Sequence, residues 1–582
     1  MTNAGIARIA GYVLLLSFFG LQASSNGTTV TFRGALTSSS PGELNLWLGH
    51  ALLLFPGTLL IGYGFASRVA PFVARMARAI RGLTARDRRL GILALTLVAV
   101  ASARLGRALF LLDFPVTDDE YAVDFGGRIL ASGHVMAHLP LPRESIPALF
   151  LYFRNGAVGS FDWIGGQAIA AIAYLTRLGA WLWAILAATP VAALAFLMAR
   201  RLGATWGLAA VFLFLCSPMV ALLSMTTHVH LASRAFLALA LLTLSTAERD
   251  AAVSKWTLTG CFFGLAFLCR PLETAFFAAP IALWAILQAA RGSVRDNLAL
   301  AGLIAGFLPA VAVLAWHSYA MTGNALLPAR FAAEGHTDMT SLSLWGRFGD
   351  NFSYNLLMLA VWFLGPLGLI LVAAGALADR FTKLLGLCVV ADLWLTLFHD
   401  NSGLHIVGPI HYSECAVPLT VIATYGLANL VNCAKHHGIN ATKVATALVV
   451  SLALGLGTFT VVQALALRRQ SEIQRTLYSA IERGVRDPDG RKAVVLAPWF
   501  FAVVNAQPDM REIGTWVHDW RRPRLNLEDD VLFLRDAQGT VESVRDSLRD
   551  RRFFRLVPLS EAPFLALVPF DGGSPKPLDL SR

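Results

Sequence analysis

Three consecutive acidic residues, Asp118, Asp119 and Glu120, follow an apolar run and lead into a stretch of helical pattern that ends near Leu130. Neighbouring carboxylates repel one another and tend to raise a pKa, which suits a general base or a cation site. The same residues also suit the start of a solvated helix, with Thr117 or Asp118 as the N-cap and the acids facing the helix dipole. Both interpretations stay open on the residues alone.

The chain that must position this cluster is strongly apolar. Of its 582 residues, 56% are hydrophobic and 15% charged, and the mean hydropathy is +0.59. These values exceed those of soluble domains and exclude a soluble enzyme, a coiled coil and a disordered scaffold. The alternating segments of a membrane barrel are absent from the sequence, so we predict a polytopic α-helical membrane protein.

Apolar runs of roughly 17–25 residues, each long enough to cross ~30 Å of hydrocarbon, predict about thirteen transmembrane helices. Placing the Arg68–Arg89 segment in the cytoplasm puts the other short basic loops inside as well, and the N-terminus with them. The net charge of +11 therefore reflects topology, and no nucleic-acid partner is predicted. The predicted spans lie near residues 6–23, 46–67, 90–112, 179–199, 203–223, 231–247, 256–270, 272–290, 297–316, 353–376, 384–399, 413–432 and 443–466.

This topology divides the chain into three parts. Residues 1–89 hold two spans and a basic cytoplasmic loop, residues 90–467 form a membrane core, and residues 468–582 form a small extracytoplasmic α/β domain. The α/β domain is predicted from short runs of β pattern among helix-compatible stretches, at 493–496, 531–534, 553–557 and 564–568. The core has outer loops at 113–164, 317–352 and 400–412, where function is expected.

The run Asp118-Asp119-Glu120-Tyr121-Ala122, in the first large outer loop, resembles the Asp-Glu motif of the GT-C glycosyltransferases. The similar proteins are the family 39-like group, which includes protein O-mannosyltransferases and lipid A aminoarabinose transferases. The resemblance spans roughly residues 90–432, with its pieces at outer helix ends. Further matches follow in the same order: Phe161-Asp162-Trp163, Ser217-Pro218 with Ser224 and His228, Gly264 to Pro271, Tyr319 to Pro328, and Gly408 to Glu414 with Pro418.

The resemblance implies a GT-C fold and an enzyme of the outer face of a bacterial cytoplasmic membrane. Such an enzyme moves a hexosyl or pentosyl unit, usually with inversion, from a polyprenyl-phosphate-linked donor in the bilayer to an envelope glycolipid, polysaccharide or protein. A carboxylate must deprotonate the acceptor hydroxyl, and cations must stabilise the charge on the departing lipid phosphate.

We assign the base to Asp119, with Glu120 orienting it or the acceptor. Asp118 is the competitor, because the triple acid leaves the register ambiguous by one residue. A carboxylate pair could instead bind a divalent cation, but no second outer acidic cluster is obvious. We therefore predict a reaction that uses no metal or other cofactor.

For the donor phosphate, the candidate is Arg270, which interrupts the apolar stretch between Trp256 and Ala290. A charge there is costly unless it has a role. The alternative is the turn of a helical hairpin, in which Arg270 reaches the headgroups or pairs with Glu273. The other predicted donor-phosphate ligands are His411, Tyr412 and Arg347, and the predicted substrate ligands are Tyr121, Asp162, His228 and Glu414.

One position departs from the family pattern. Beside the tyrosine of the last outer loop the family commonly carries an arginine or lysine, whereas this sequence has His411, which is fully charged only part of the time near neutrality. Two other interpretations therefore remain. A flippase or transporter of lipid-linked intermediates would share Arg270 but would not need the outer acidic cluster, and a noncatalytic membrane protein could retain the same fold.

Overall fold

The computed structural model describes residues 2–24, 48–250, 252–334, 348, 351–352, 358–398, 404–405, 407–507, 510, 517–559, 564–578 and 580. Helices make up most of it. Those of the membrane part are α1 (Asn3–Ser24), α2 (Phe55–Gly82), α3 (Ala85–Phe110), α4 (Asp118–Ala131), α5 (Ile164–Leu175), α6 (Ala180–Arg201), α7 (Ala204–Cys216), α8 (Pro218–Leu223), α9 (Val229–Asp250), α10 (Val253–Cys269), α11 (Pro271–Ala289), α12 (Val294–Thr322), α13 (Ala329–Glu334), α14 (Gly365–Gly375), α15 (Arg380–Thr396), α16 (Ala416–His436) and α17 (Ala441–Val485).

Nine helices within the described ranges are long and apolar enough to cross a membrane. This confirms the polytopic α-helical prediction, while the count of about thirteen spans stays a prediction. Four shorter apolar helices, α5, α7, α10 and α14, accompany the nine. The predicted span 203–223 is interrupted at Ser217, because Pro218 begins a new helix and biases the residue before it away from helical geometry.

The first long loop is itself folded. It contains α4 and a small antiparallel sheet of β1 (Ala137–His138), β2 (Leu151–Arg154) and β3 (Ala157–Ser160), in the order β1-β3-β2. Helix α4 packs directly on α5 because it has glycines at the contact. A Cβ at Gly126 would lie 2.4 Å from Oε1 of Gln167, and one at Gly127 would lie 2.4 Å from Cβ of Ala170.

The C-terminal part is the predicted small α/β domain, which we call the sheet domain (residues 486–580). Its strands are β6 (Ala493–Ala497), β7 (Val531–Arg535), β8 (Arg552–Pro558), β9 (Leu565–Pro569) and β10 (Lys576–Pro577), and its described helices are α18 (Phe500–Ala506) and α19 (Val541–Ser547). The sheet order is β10-β9-β8-β6-β7, with β6 parallel to both neighbours. Four strands fall where the β pattern predicted them.

Helix α17 joins the membrane bundle to the sheet domain. Its 45 residues extend about 68 Å at ~1.5 Å per residue, roughly twice the ~30 Å of hydrocarbon. Its distal residues Ile473, Leu477 and Ile481 pack into the hydrophobic core of the sheet domain. The boundary predicted at 467/468 thus falls inside a continuous helix, because the charges from Arg468 onward mark where the helix leaves the apolar region rather than where it ends.

Helix α4 lies between the bundle and the sheet domain. Phe125 and Ile129 on α4 share a buried cluster with Val494, Leu496 and Leu532 of strands β6 and β7. We call the end of the bundle that carries α4 and the sheet domain the domain end. The acidic helix is therefore held by packing on two sides, and its first turn has a fixed direction.

Candidate active site

The three acids at the start of α4 point to three different neighbours. Successive residues of an α-helix are rotated by about 100°, so adjacent side chains cannot share one direction. Asp118 faces the sheet domain, Glu120 faces the bundle, and Asp119 faces a buried polar group between helix ends. The sequence leaves open which of the three acids is the base, and the structure gives each of them a different environment.

Asp118 is buried and engaged by the sheet domain. Its Oδ2 accepts from the backbone N–H of His518 at 2.8 Å and lies 3.0 Å from Nδ1 of the same histidine. Its Oδ1 accepts from the backbone N–H of Asp519 at 3.2 Å. These contacts explain the burial of Asp118, and they favour a docking role over the catalytic role for which it competed.

Replacing Asp118 by asparagine is expected to loosen the sheet domain. In asparagine an NH₂ group replaces one of the two acceptor oxygens and would face N–H donors. A buried polar group that loses its hydrogen-bond partner in this way costs about 1–3 kcal/mol of stability. We expect a protease to cleave the exposed turn near Gly490 faster in this variant than in the wild type. The matched control is Asp124→Asn on the same helix, whose carboxylate is 60% exposed and pairs with Arg128. Equal proteolysis of the two variants would contradict the docking role.

Glu120 is fully enclosed at the junction of α4 with the bundle. Its Oε1 lies 3.1 Å from Nη1 of Arg107 and accepts from the backbone N–H and the hydroxyl of Thr227, both at 2.7 Å. Its Oε2 accepts from the backbone N–H of Val116 at 2.7 Å. Burial alone would raise the pKa of Glu120, but the Arg107 charge and these hydrogen bonds outweigh it and lower the pKa. Glu120 is a positioning residue for the start of α4.

Replacing Glu120 by glutamine is expected to destabilise the protein by about 3–5 kcal/mol, because it leaves the Arg107 charge buried without its partner. Asp113→Asn is the control, since Asp113 also approaches Arg107, at 3.7 Å, but is 51% exposed and contributes little. Thermal unfolding in detergent measures the stability of both variants. Because the pKa of Glu120 is lowered, its stabilisation is present above pH 4.5 and lost as the pH falls below that value. The wild type and Asp113→Asn should both show this loss, whereas Glu120→Gln should not. Equal melting temperatures would contradict the positioning role.

Asp119 and Asp162 are close enough to interact. Asp162 is buried, and its Oδ1 accepts from the backbone N–H of Trp163 at 2.8 Å, while its Oδ2 has no hydrogen-bond partner within the described part of the chain. Burial raises the pKa of Asp162 and the charge of Asp119 raises it further, against Arg330 and Arg270. One carboxylate oxygen is therefore available to a ligand beside Asp119.

A chain of histidines leads from Asp119 into the bundle. Nε2 of His228 lies 3.8 Å from Oδ2 of Asp119, and the His228 and His230 ring centroids are 5.1 Å apart. Nδ1 of His230 lies 3.0 Å from Oε1 of Glu414, and its ring is 5.5 Å from that of His411. These side chains come from the start of α9 and the 3₁₀ turn Ile410–Cys415, so the predicted residues of two distant segments meet.

Arg270 lies at the other end of this chain. It is buried between α10 and α11, its Nη2 lies 3.3 Å from Nδ1 of His411, and it forms an ion pair with Glu273. Its Nε has no hydrogen-bond partner among the described residues. The structure agrees with both interpretations of Arg270, as a residue of a helical hairpin and as a buried cation. It stands at a helical hairpin and pairs with Glu273, and it also presents a cation to the group that contains Asp119.

The remaining residues that we predicted as ligands lie in different places. Tyr412 is buried in the same 3₁₀ turn as His411 and Glu414. Tyr121 is not brought to this group but packs in the core shared with the sheet domain, where burial and Tyr478 raise its pKa well above 10.0. It lines a different cleft of about 1610 Å³, whose walls come from α4, the bundle and the sheet domain. Arg347 lies outside the described residues.

Three buried residues of this region were missed by sequence reasoning. His230 is adjacent in space to two predicted histidines, and Arg107 is the partner of Glu120. Arg234 on α9 is fully buried, and its guanidinium lies 3.4 Å from Oγ of Ser413 and 3.3 Å from Oγ of Ser224. The signal that identified Arg270, a charge within an apolar stretch, also applies to Arg234.

No group of three or more His, Cys, Asp and Glu side chains suited to a metal ion occurs in the described ranges. The charges that act on Asp162 are those of Asp119, Arg330 and Arg270. Metal independence stays a prediction.

The membrane-spanning bundle, the acidic helix at its domain end and the small sheet domain define a multi-pass membrane protein. Residues 161–316 match the family model described as dolichyl-phosphate-mannose-protein mannosyltransferase. That segment carries Asp162, His228 and Arg270, and the match confirms the resemblance to GT-C glycosyltransferases. No curated protein matches the sequence significantly.

Three solved structures are similar to the chain at low identity. ArnT from Cupriavidus metallidurans bound to undecaprenyl phosphate is 13% identical with a TM-score of 0.49, over 81% of this chain and 94% of that one. The oligosaccharyltransferase of Archaeoglobus fulgidus is 11% identical with a TM-score of 0.43, over 80% and 69%. The arabinofuranosyltransferase AftD from Mycobacteria is 16% identical with a TM-score of 0.45, over 83% and 36%.

Proposed function

We propose that this protein transfers a sugar from a polyprenyl-phosphate-linked donor to an envelope glycolipid, polysaccharide or protein. The observation that carries the proposal is the continuous buried group that joins the carboxylate of Asp119 to the guanidinium of Arg270 through His228, His230 and His411. A base for the acceptor and a cation for the leaving phosphate are the two groups that this reaction requires.

Asp119 acts as the base. It takes the proton of the acceptor hydroxyl while that oxygen forms a bond to the anomeric carbon of the donor. The bond from the anomeric carbon to the phosphate oxygen breaks, and the lipid phosphate leaves with the electron pair. Attack from the face opposite the phosphate inverts the anomeric configuration. No step needs a metal ion or an organic cofactor.

Arg270 stabilises the departing phosphate. A guanidinium can donate two parallel hydrogen bonds to phosphate oxygens, and the low-dielectric surroundings strengthen the interaction. Nδ1 of His411 accepts from Arg270 at 3.3 Å, and the other ring nitrogen of His411 adds a second donor. The available oxygen of Asp162 accepts a hydrogen bond from a sugar hydroxyl beside Asp119. The description of the matched family names a dolichyl-phosphate-linked sugar, which supports a lipid phosphate donor.

The positive-inside rule supports the proposed orientation. The basic segment from Arg68 to Arg89 is assigned to the cytoplasm together with the N-terminus. The domain end then faces the periplasm or the exterior of a bacterial cytoplasmic membrane. The acceptor reaches the site from that side, and the polyprenyl chain of the donor stays in the bilayer.

Mass spectrometry of envelope glycolipids and glycans tests this function, in a strain that lacks the gene and in the same strain complemented with the wild-type gene. We expect one sugar unit to disappear on deletion and to return on complementation. Its mass and fragments identify the sugar and the acceptor. A transporter would instead leave the final linkage intact and change the distribution of lipid-linked intermediates across the membrane. An unchanged profile would contradict the transferase function.

A further inference from the structure

A second cavity lies between the sheet domain and the first long loop. Its volume is about 400 Å³, and it is lined by residues that follow the parallel strands β6 and β7, among them Trp499 and Asp536. Ligands of open α/β sheets bind at this edge, because loops that follow the carboxyl ends of strands converge there. None of its lining residues belongs to the group that joins Asp119 to Arg270.

An arginine and a tryptophan form one wall of this cavity. The guanidinium carbon of Arg535, at the end of β7, lies 3.4 Å from the ring centroid of Trp499. The Nε and Nη2 atoms of Arg535 are buried, and they have no hydrogen-bond partner in the part of the chain that the structure describes. Buried donors without acceptors are costly, so the arrangement favours a ligand that supplies oxygen acceptors.

The opposite wall comes from the first long loop and adds a second arginine. Arg143 is exposed in the turn Arg143–Ser145, and its guanidinium lies 4.9 Å from the ring centroid of Phe153. Glu144 beside it is exposed and lines the same cavity. Asp536 also lines the cavity, but its carboxylate already pairs with Arg555 at 2.9 Å. The cavity is therefore lined by two arginines and by the carboxylate-bearing Glu144, for which no ion pair is seen among the described residues.

We propose that this cavity binds an acidic sugar residue of a glycan. The acidic group, a carboxylate or a phosphate, accepts hydrogen bonds from Arg535 and Arg143, because the planar guanidinium matches either anion. The sugar ring lies against the exposed part of Trp499, which is 42% accessible, and a ring hydroxyl donates to Glu144. The site joins the sheet domain to the first loop and binds glycan whether or not the chain transfers a sugar.

Fluorine NMR on the full chain in detergent, with tryptophan replaced by 5-fluorotryptophan, tests this site directly. Trp499→Phe assigns the Trp499 resonance. The probes are D-glucuronate, D-glucose 6-phosphate, D-glucose and inorganic phosphate. We expect a saturable shift of the Trp499 resonance with the two acidic sugars, and binding of D-glucose that is weaker by about tenfold to a hundredfold. The two acidic sugars distinguish a carboxylate-bearing ligand from a phosphate-bearing one.

The variant Arg535→Gln should weaken the binding of the acidic sugars by a similar factor. Arg549→Gln is the matched control, because Arg549 is a 78% exposed arginine of the same domain that pairs with Asp546. No saturable shift with either acidic sugar, or equal binding by Arg535→Gln and wild type, would overturn the proposal. Inorganic phosphate binding as tightly as D-glucose 6-phosphate would overturn the role of Trp499. These readouts do not use transferase activity, so failure here leaves the proposed function standing.

Discussion

Replacing Asp119 by asparagine is expected to lower sugar transfer by about 10²- to 10⁴-fold while the fold stays intact. Asparagine keeps the size of the side chain but cannot take the proton of the acceptor hydroxyl. Because the substitution preserves the size and polarity of a side chain that is 18% exposed, the variant should retain its melting temperature. Mass spectrometry of the envelope glycans in the complemented deletion strain measures the transfer.

The variant Asp124→Asn controls for the loss of one negative charge from the same helix, because the Asp124 carboxylate is 60% exposed. It should restore the glycan profile as the wild type does. If Asp119→Asn restores the profile equally well, Asp119 is not the base, and a transporter or a noncatalytic protein of the same fold becomes the better interpretation. If Asp119→Asn lowers the melting temperature as much as Glu120→Gln does, its effect is structural.

Much of the fold is predictable from the sequence because membrane helices have a strong local signal. Apolar length alone locates the nine long helices, and short runs of β pattern among helix-compatible stretches locate strands β6 to β9. Boundaries set by tertiary contacts were not predictable. The charges after residue 467 ended the predicted span, but the helix continues to Val485 because Ile473, Leu477 and Ile481 are buried by the sheet domain.

Some residues of the candidate site were likewise predictable from the sequence, and the roles of others were not. The sequence identified the acids and Arg270 because charges next to or inside apolar runs are rare, but it did not place Asp119 and Arg270 in space. The separate roles of the three acids depend on distant partners. Asp118 is docked by His518, 400 positions later, and Glu120 is enclosed by Arg107 and Thr227. No local pattern indicates such partners, so the register could be settled only in three dimensions.

Replacing Arg270 by methionine is expected to abolish transfer and to destabilise the protein together. The cation that stabilises the leaving phosphate is worth about 10²- to 10³-fold in rate at a preorganised site. The buried Glu273 also loses its ion-pair partner, which costs about 3–5 kcal/mol. Loss of activity in this variant alone therefore does not distinguish a phosphate ligand from a structural ion pair.

The double variant Arg270→Met with Glu273→Met separates the two roles. Removing both charges leaves no uncompensated carboxylate, and an apolar pair of similar volume is often neutral for stability or even favourable. We expect the melting temperature to recover to that of the wild type while transfer stays lost, because no guanidinium remains for the phosphate. If transfer recovers with stability, the arginine serves only the helical hairpin, and the cation for the phosphate must come from another side chain such as His411. His411→Gln in the double variant should then remove the recovered activity, because glutamine keeps a hydrogen-bond donor but carries no charge.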